Sequence, residues 1–345
     1  MKSFSLIIAA RARRLLPFVT SLLTCSFAAN AEPPMTDVFA VRNQNPFLQV
    51  FGLPPFQSTA LAAEGKPEYK VNFDLVNHAE ARVEDVESAV FDGETYFLTL
   101  SLRRRVTPRL ELGIDVPMVR HTDGVLDNVI EDWHDTFGMS NSNRSGPSNH
   151  LDLFYASDGN TLYEISSPTF GIGDIQLTAA IPLRMADESN DFSMVVRANV
   201  KLPTGSEEDL HGSGAADFAA GLYLSDNYSL FERNLALSGF AGALLLGDGD
   251  VLTELQRDTV PYAGVAATWQ ATENLAVTTQ VYAQGEYFDS ELREVGGDTM
   301  QLTIGGSYRL PQQGWVLSFA IVEDPIADST PDFGLHFSIR NGRGR

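Results

Sequence analysis

The chain has 345 residues, one cysteine and a formal net charge of −21. So acidic a surface makes nucleic acid an unsuitable partner, because the phosphate backbone repels it. No uninterrupted apolar run of about 18 residues follows the N-terminal region, which excludes a transmembrane helix, so a membrane location would need a closed β-barrel, whose strands satisfy one another's backbone groups.

In chain order, residues 1–31 read as an export signal peptide. Arg11, Arg13 and Arg14 form its positive region, Leu15 to Phe27 a short apolar stretch, and Ala29-Asn30-Ala31 a cleavage site. Cleavage there removes Lys2, those three arginines and no acidic residue, which moves the charge from −21 to −25. It also removes Cys25, leaving a mature chain without thiols. Acylation of Cys25 is the lesser reading, since Thr24 immediately upstream is unfavourable. Residues 32–66 read as a periplasmic N-terminal arm or plug segment, and residues 67–345 as an outer-membrane β-barrel.

From Glu68 to Arg340 the dominant pattern is alternation at period two. Leu110, Leu112, Ile114, Val116 and Met118 face one way, while Glu111, Gly113, Asp115 and Pro117 face the other. The same alternation sets Leu177, Ala179 and Ile181 against Gln176 and Thr178, and Met194, Val196, Ala198 and Val200 against Ser193, Arg197, Asn199 and Lys201. One face suits lipid and the other water, in segments of about ten residues, as a tilted membrane strand requires. Strands are predicted near 68–79, 93–106, 109–121, 172–184, 192–203, 214–225, 234–246, 259–270, 274–288, 298–310, 314–323 and 332–340. The fold class is therefore all-β, a transmembrane antiparallel barrel of about 12 strands. A soluble β-sandwich also alternates, but it predicts no systematic loop length.

Loop length is a second signal. The connections near 106–108, 185–191, 225–233, 271–273 and 311–313 are short, whereas those at 81–92, 122–171, 204–213, 247–259, 289–297 and 323–331 are longer and acidic. Short periplasmic turns, long external loops and an even strand count put both termini in the periplasm. The longest connection contains one helical pattern over 124–138. Leu126, Ile130, Trp133 and Phe137 form a stripe, with Asp127, Glu131 and Asp135 beside it. This helical loop insertion is either a constriction docked on inward Tyr223 and Tyr282, or a surface helix covering the rim.

Three groups of residues carry a family resemblance. They are Arg42-Asn43-Gln44-Asn45-Pro46-Phe47 with Phe51-Gly52-Leu53-Pro54, Ile130 to Gly138, and Gly171-Ile172-Gly173-Asp174 followed by Lys201-Leu202-Pro203-Thr204-Gly205. Together they resemble an outer-membrane barrel family catalogued as domain of unknown function 3187. The last two motifs are also similar to the barrel family named for the meta-pathway of phenol degradation, a resemblance that implies passage of hydrophobic compounds across the outer membrane. Locally, Gly and Pro in these motifs mark where strands begin and end.

Charged side chains predicted to point into the lumen are Arg103, Arg105, Glu111, Asp115, Arg197, Lys201, Asp217, Glu286 and Arg309. They either line an aqueous path or pair into a closed polar core, and the paired core is preferred. The lumen and constriction candidates are thus Asp127, Glu131, Asp135, Arg197, Lys201, Glu111, Asp115 and Arg103. Asp74, His78 and His336 share the inward face of the first and last strands, with Ser338 the nearest nucleophile. No nucleophile elbow surrounds Ser338, so catalysis is not expected, and without thiols neither is a metal or other cofactor. The expected protein is a monomeric barrel in outer-membrane lipid that passes a small-molecule solute. The alternatives are a structural or surface-interaction barrel with a plugged lumen, and a barrel hydrolase.

Overall fold

The computed structural model describes residues 35–341 apart from 85, 127–149, 188, 325–329 and 332. Its strands are β1 (Glu68–Glu84), β2 (Glu87–Thr107), β3 (Leu110–Thr122), β4 (Asp152–Ser157), β5 (Asn160–Ile165), β6 (Thr169–Ile172), β7 (Gln176–Arg184) and β8 (Ser193–Lys201). They continue as β9 (Asp217–Leu230), β10 (Arg233–Leu245), β11 (Thr259–Gln270), β12 (Leu275–Gln284), β13 (Thr299–Arg309), β14 (Val316–Glu323) and β15 (Phe333–Arg340). Every pairing is antiparallel. β1, β2, β3 and β7 to β15 pair in succession, and β15 returns to β1 with Asp74 opposite His336, so twelve strands close without a free edge.

Period-two sequence becomes two-faced wall because successive side chains leave a strand on opposite sides. Leu177 and Ile181 are exposed on the outside, whereas Gln176, Thr178 and Ala180, which alternate with them, are buried. Leu112 and Leu100 are likewise exposed, and the adjacent Glu111 is buried. Short connections join β2 to β3, β7 to β8, β9 to β10, β11 to β12 and β13 to β14 at one end, and the longer ones lie at the other. Phe231 and Glu232 close the β9–β10 hairpin with positive φ of 52° and 59°, the backbone twist a two-residue turn demands.

The structure corrects the sequence reading at the long-loop end. Residues 81–92 are predicted as a loop, yet 81–84 belong to β1 and 87–92 to β2, with Ala81 opposite Val90 and Arg82 opposite Ala89. Beyond the apolar belt Ala89 and Phe91 of β2 still pack inward, while β1 turns charged at Glu80, Arg82 and Glu84 and the backbone ladder continues. The connection 122–171, predicted to hold one helix, contains β4, β5 and β6. β4 pairs with the upper part of β2, and β5 turns back on β4 through Asp158 and Gly159, both at positive φ. Asp-Gly between two apolar runs is a hairpin signal that the reading passed over. β12 ends at Gln284 rather than near 288, so Glu286 sits beyond the wall, paired with Arg257, instead of facing the lumen.

Inside the barrel runs an irregular segment, residues 35–64. Met35 packs with Ala276 and Val316 near the short-turn end, Phe47 packs with Phe91 and Tyr155 near the long-loop end, and Glu64 bridges Arg105 back at the short-turn end. The segment is therefore a hairpin that rises through the lumen and descends again. Its apolar side chains join inward residues of the wall in one core that includes Phe51, Phe56, Tyr223, Phe240 and Tyr282.

Candidate functional site

The rising limb is read by wall side chains that bind its backbone. Arg340 grips Asp37 with one nitrogen on both carboxylate oxygens at 2.7 and 2.6 Å. Thr268 and Thr278 donate to Asp37 O, and Gln280 both accepts from Phe39 N and donates to Phe39 O at 3.0 Å. An irregular segment without a strand partner has unsatisfied amides and carbonyls, and these inward polar side chains satisfy them in place of water.

At the apex, Asn45 to Phe51 forms tight turns, with Gln49 N donating to Asn45 O. Arg42 folds beneath it and donates to the carbonyls of Gln49, Phe51 and Leu53 at 2.9 to 3.0 Å. One guanidinium thus ties the rising limb to the start of the descending one, and Phe56 N donates to Val41 O to join them again. Descending, Pro54 O accepts from Tyr282 Oη, Phe56 packs edge-on against Phe240, and Arg197 donates to Ser58 O and Ala60 O. Glu111 then accepts from Ala62 N.

Lys201 is 1% exposed and binds Asp174 at 2.8 Å, Asp217 at 3.1 Å, Ser213 Oγ and the apex carbonyl Val50 O. Asp217 in turn accepts from Gly52 N at 2.8 Å. Gly52 sits so close that an added Cβ would lie 3.0 Å from Asp217 Cβ. Asp174 accepts from Thr204 N, Gly205 N and Ser213 N. The Gly-Ile-Gly-Asp and Lys-Leu-Pro-Thr-Gly motifs therefore meet in space, clamping the 202–216 connection to the wall and to the hairpin apex. His211 in that connection stacks on His121 at 5.6 Å, and its burial pushes the imidazole below its ordinary pKa against the opposing effect of Asp209.

Of the residues proposed from sequence, the structure brings together Glu111 with Arg197 at 3.4 Å and Asp115 with Arg103 at 2.6 Å, and it places Lys201 in the cluster above. Asp127, Glu131 and Asp135 lie outside the described residues, as does the helix pattern from 127 onward. The chain leading into that stretch is described: Val125 N and Leu126 N donate to Glu94 Oε1, on the outward side of β2. Of the proposed seat for a docked helix, Tyr282 meets Phe56 and Pro54 of the hairpin, and Tyr223 is buried in the same core, stacked on Phe240. Asp37, Arg42 and Asp174 are structural partners not singled out from sequence; Arg42 and Asp174 stand within the family motifs, whereas Asp37 carries no signal.

Among the histidines, His336 Nδ1 lies 2.6 Å from Asp74, but its Nε2 has no hydrogen-bond partner among the described residues, so Ser338 does not complete a triad. His78, Thr95 and His121 form a buried chain of hydrogen bonds, and no group of metal-binding side chains is found among the described residues. Between the hairpin and the wall, toward the short-turn end, remains a chamber of about 140 Å³.

The profile of a protein family described as Protein of unknown function (DUF3187) matches residues 14–342. The COG4313 outer membrane channel from Pseudomonas putida F1 is similar in fold at 14% identity and TM-score 0.54, over 84% of this chain and 99% of that one. Weaker likenesses are the NanC porin, at 6% identity and TM-score 0.44 over 80% and 99%, and the Pseudomonas putida toluene transporter TodX, at 11% and 0.36 over 88% and 98%. No curated protein matches the chain.

Proposed function

The chain belongs to the DUF3187 family, and we propose that it is an outer-membrane channel for small solutes, held shut by its own N-terminal hairpin, residues 35–64. The observation that carries this reading is the contrast between wall and filling. The wall is a continuous ladder of twelve strands, whereas the hairpin has no ladder of its own and is held by side-chain packing with single hydrogen bonds and ion pairs. A closed ladder moves only as a whole, while a segment without regular structure shifts by breaking a few contacts at a time. The polar chamber favours a polar solute over the hydrophobic one implied by the phenol-degradation resemblance, because the apolar interior at the long-loop end is packed by Phe47, Phe51 and Phe56. A hydrolase reading is disfavoured by a His336 whose Nε2 meets no hydroxyl among the described residues.

The plugged structural barrel is the second reading, favoured by the same filled lumen. Planar bilayers distinguish the two. Deleting residues 35–62 should convert a protein with rare openings into one with steady single-channel conductance, and a folded deletion variant that stays silent would leave the structural barrel standing.

A further inference from the structure

The chamber beside the hairpin has a one-sided chemistry that names a solute class, an inference that rests on the channel reading and deepens it. Its volume of about 140 Å³ holds about ten waters at 10–15 Å³ each, which is the space of a monosaccharide. The charges on its lining are already engaged. Arg340 holds Asp37, Arg103 holds Asp115, Arg197 holds Glu111, and Asp74 holds His336. Arg42 is spent on three carbonyls, and Glu68 and Lys70 are not free. An anion entering the chamber would meet no uncommitted cation, and pairing it would strip a buried carboxylate of its partner.

The uncommitted groups are neutral or acceptors. The strand register sets Ser318, whose hydroxyl is bonded to Ser307, opposite Ser338, Ser338 opposite Asn72, and Asn72 opposite Thr99, so one polar row crosses four strands. Ser101 stands in the next row, opposite Asp115. Asn72 Oδ1 and Asp115 Oδ1 are buried, and neither has a hydrogen-bond partner among the described residues. Phe56 and Phe97 supply an apolar side to the same chamber. Convergent hydroxyl and amide groups facing an apolar side suit a ligand whose hydroxyls both donate and accept and whose carbon skeleton is apolar.

We propose that the chamber binds a small uncharged polyhydroxylated solute of monosaccharide size through Asn72, Thr99, Ser101 and Asp115. Saturation-transfer NMR on the full protein in detergent tests it with glucose, glucosamine and gluconate, which share a hydroxylated six-carbon chain and differ in charge. Glucose should receive transfer, and gluconate at least tenfold less. Asn72→Leu and Thr99→Val should each lower the glucose signal fivefold or more while the folded, heat-modifiable form persists. Where either variant fails to fold, Ser101→Ala must lower the signal at least twofold. Equal transfer to gluconate, a tenfold preference for glucosamine over glucose, or an unchanged glucose signal in the folded variants would overturn the proposal. Conductance without glucose transfer sinks this site alone, and glucose transfer in a protein that never conducts sinks the channel reading alone.

Discussion

Lys201 gathers two carboxylates, a hydroxyl and a carbonyl around one ammonium that is 1% exposed. Removing one member of such a buried group leaves the others uncompensated in a low-dielectric site, which costs about 3–5 kcal/mol. Lys201→Met should therefore lower the unfolding free energy of the detergent-folded barrel, read from urea titration, by that much, and an unchanged value would mean the cluster is not coupled to folding. At this scale the sequence was partly legible. Alternation placed Lys201, Arg197, Glu111, Asp115 and Arg103 inward, because their neighbours are the lipid-facing Val200, Val196, Leu112 and Ile114. Which charge meets which was not legible, since Asp174 and Lys201 are brought together by strand pairing and not by spacing. Arg42 stood within a motif, yet its partners were not legible, because a guanidinium bound to main-chain carbonyls needs no complementary residue type, and nothing near Asp37 in sequence pointed to the distant Arg340 that holds it.

The hairpin of residues 35–64 has neither helix nor strand periodicity, so its composition alone left it open between an arm and a plug. Its path is set by the wall, through Gln280, Arg197 and Glu111, and by Arg42 from within. Arg42→Ala frees three carbonyls at the apex, at about 1–3 kcal/mol for each left unsatisfied. One or two kcal/mol changes a population ratio by roughly 5–30-fold, so the variant should open in bilayers at least fivefold more often than the wild type at equal single-channel conductance. An unaltered open probability would show that the apex does not govern opening. The wall strands were legible because a ladder crossing lipid must alternate, whereas β4 and β5 are only six residues each and bury one face in the hairpin core through Leu153, Tyr155 and Ile165, too short a run for alternation to stand out.

For the whole molecule, the twelve-stranded closure follows from a chain whose apolar residues all need one side of a sheet and whose edges need partners. Leu177 and Ile304 stand 44% and 49% exposed on the outer wall. Replacing either with Arg should cost about 2–4 kcal/mol near the middle of the bilayer, read as reduced folding into lipid vesicles but not into short-chain detergent at equal extent. Equal folding in both media would argue against a lipid-facing belt. Opening without loss of this wall is the central claim, and a reversible lock tests it most directly. Leu61 packs against Ala180 and Val195, and the mature chain expected after signal cleavage has no cysteine of its own. The double variant Leu61→Cys, Val195→Cys therefore ties the descending limb to the wall by a disulfide. In planar bilayers the oxidised protein should be silent and reduction should restore openings in the same membrane, whereas equal conductance before and after reduction would show that solutes pass without the hairpin moving.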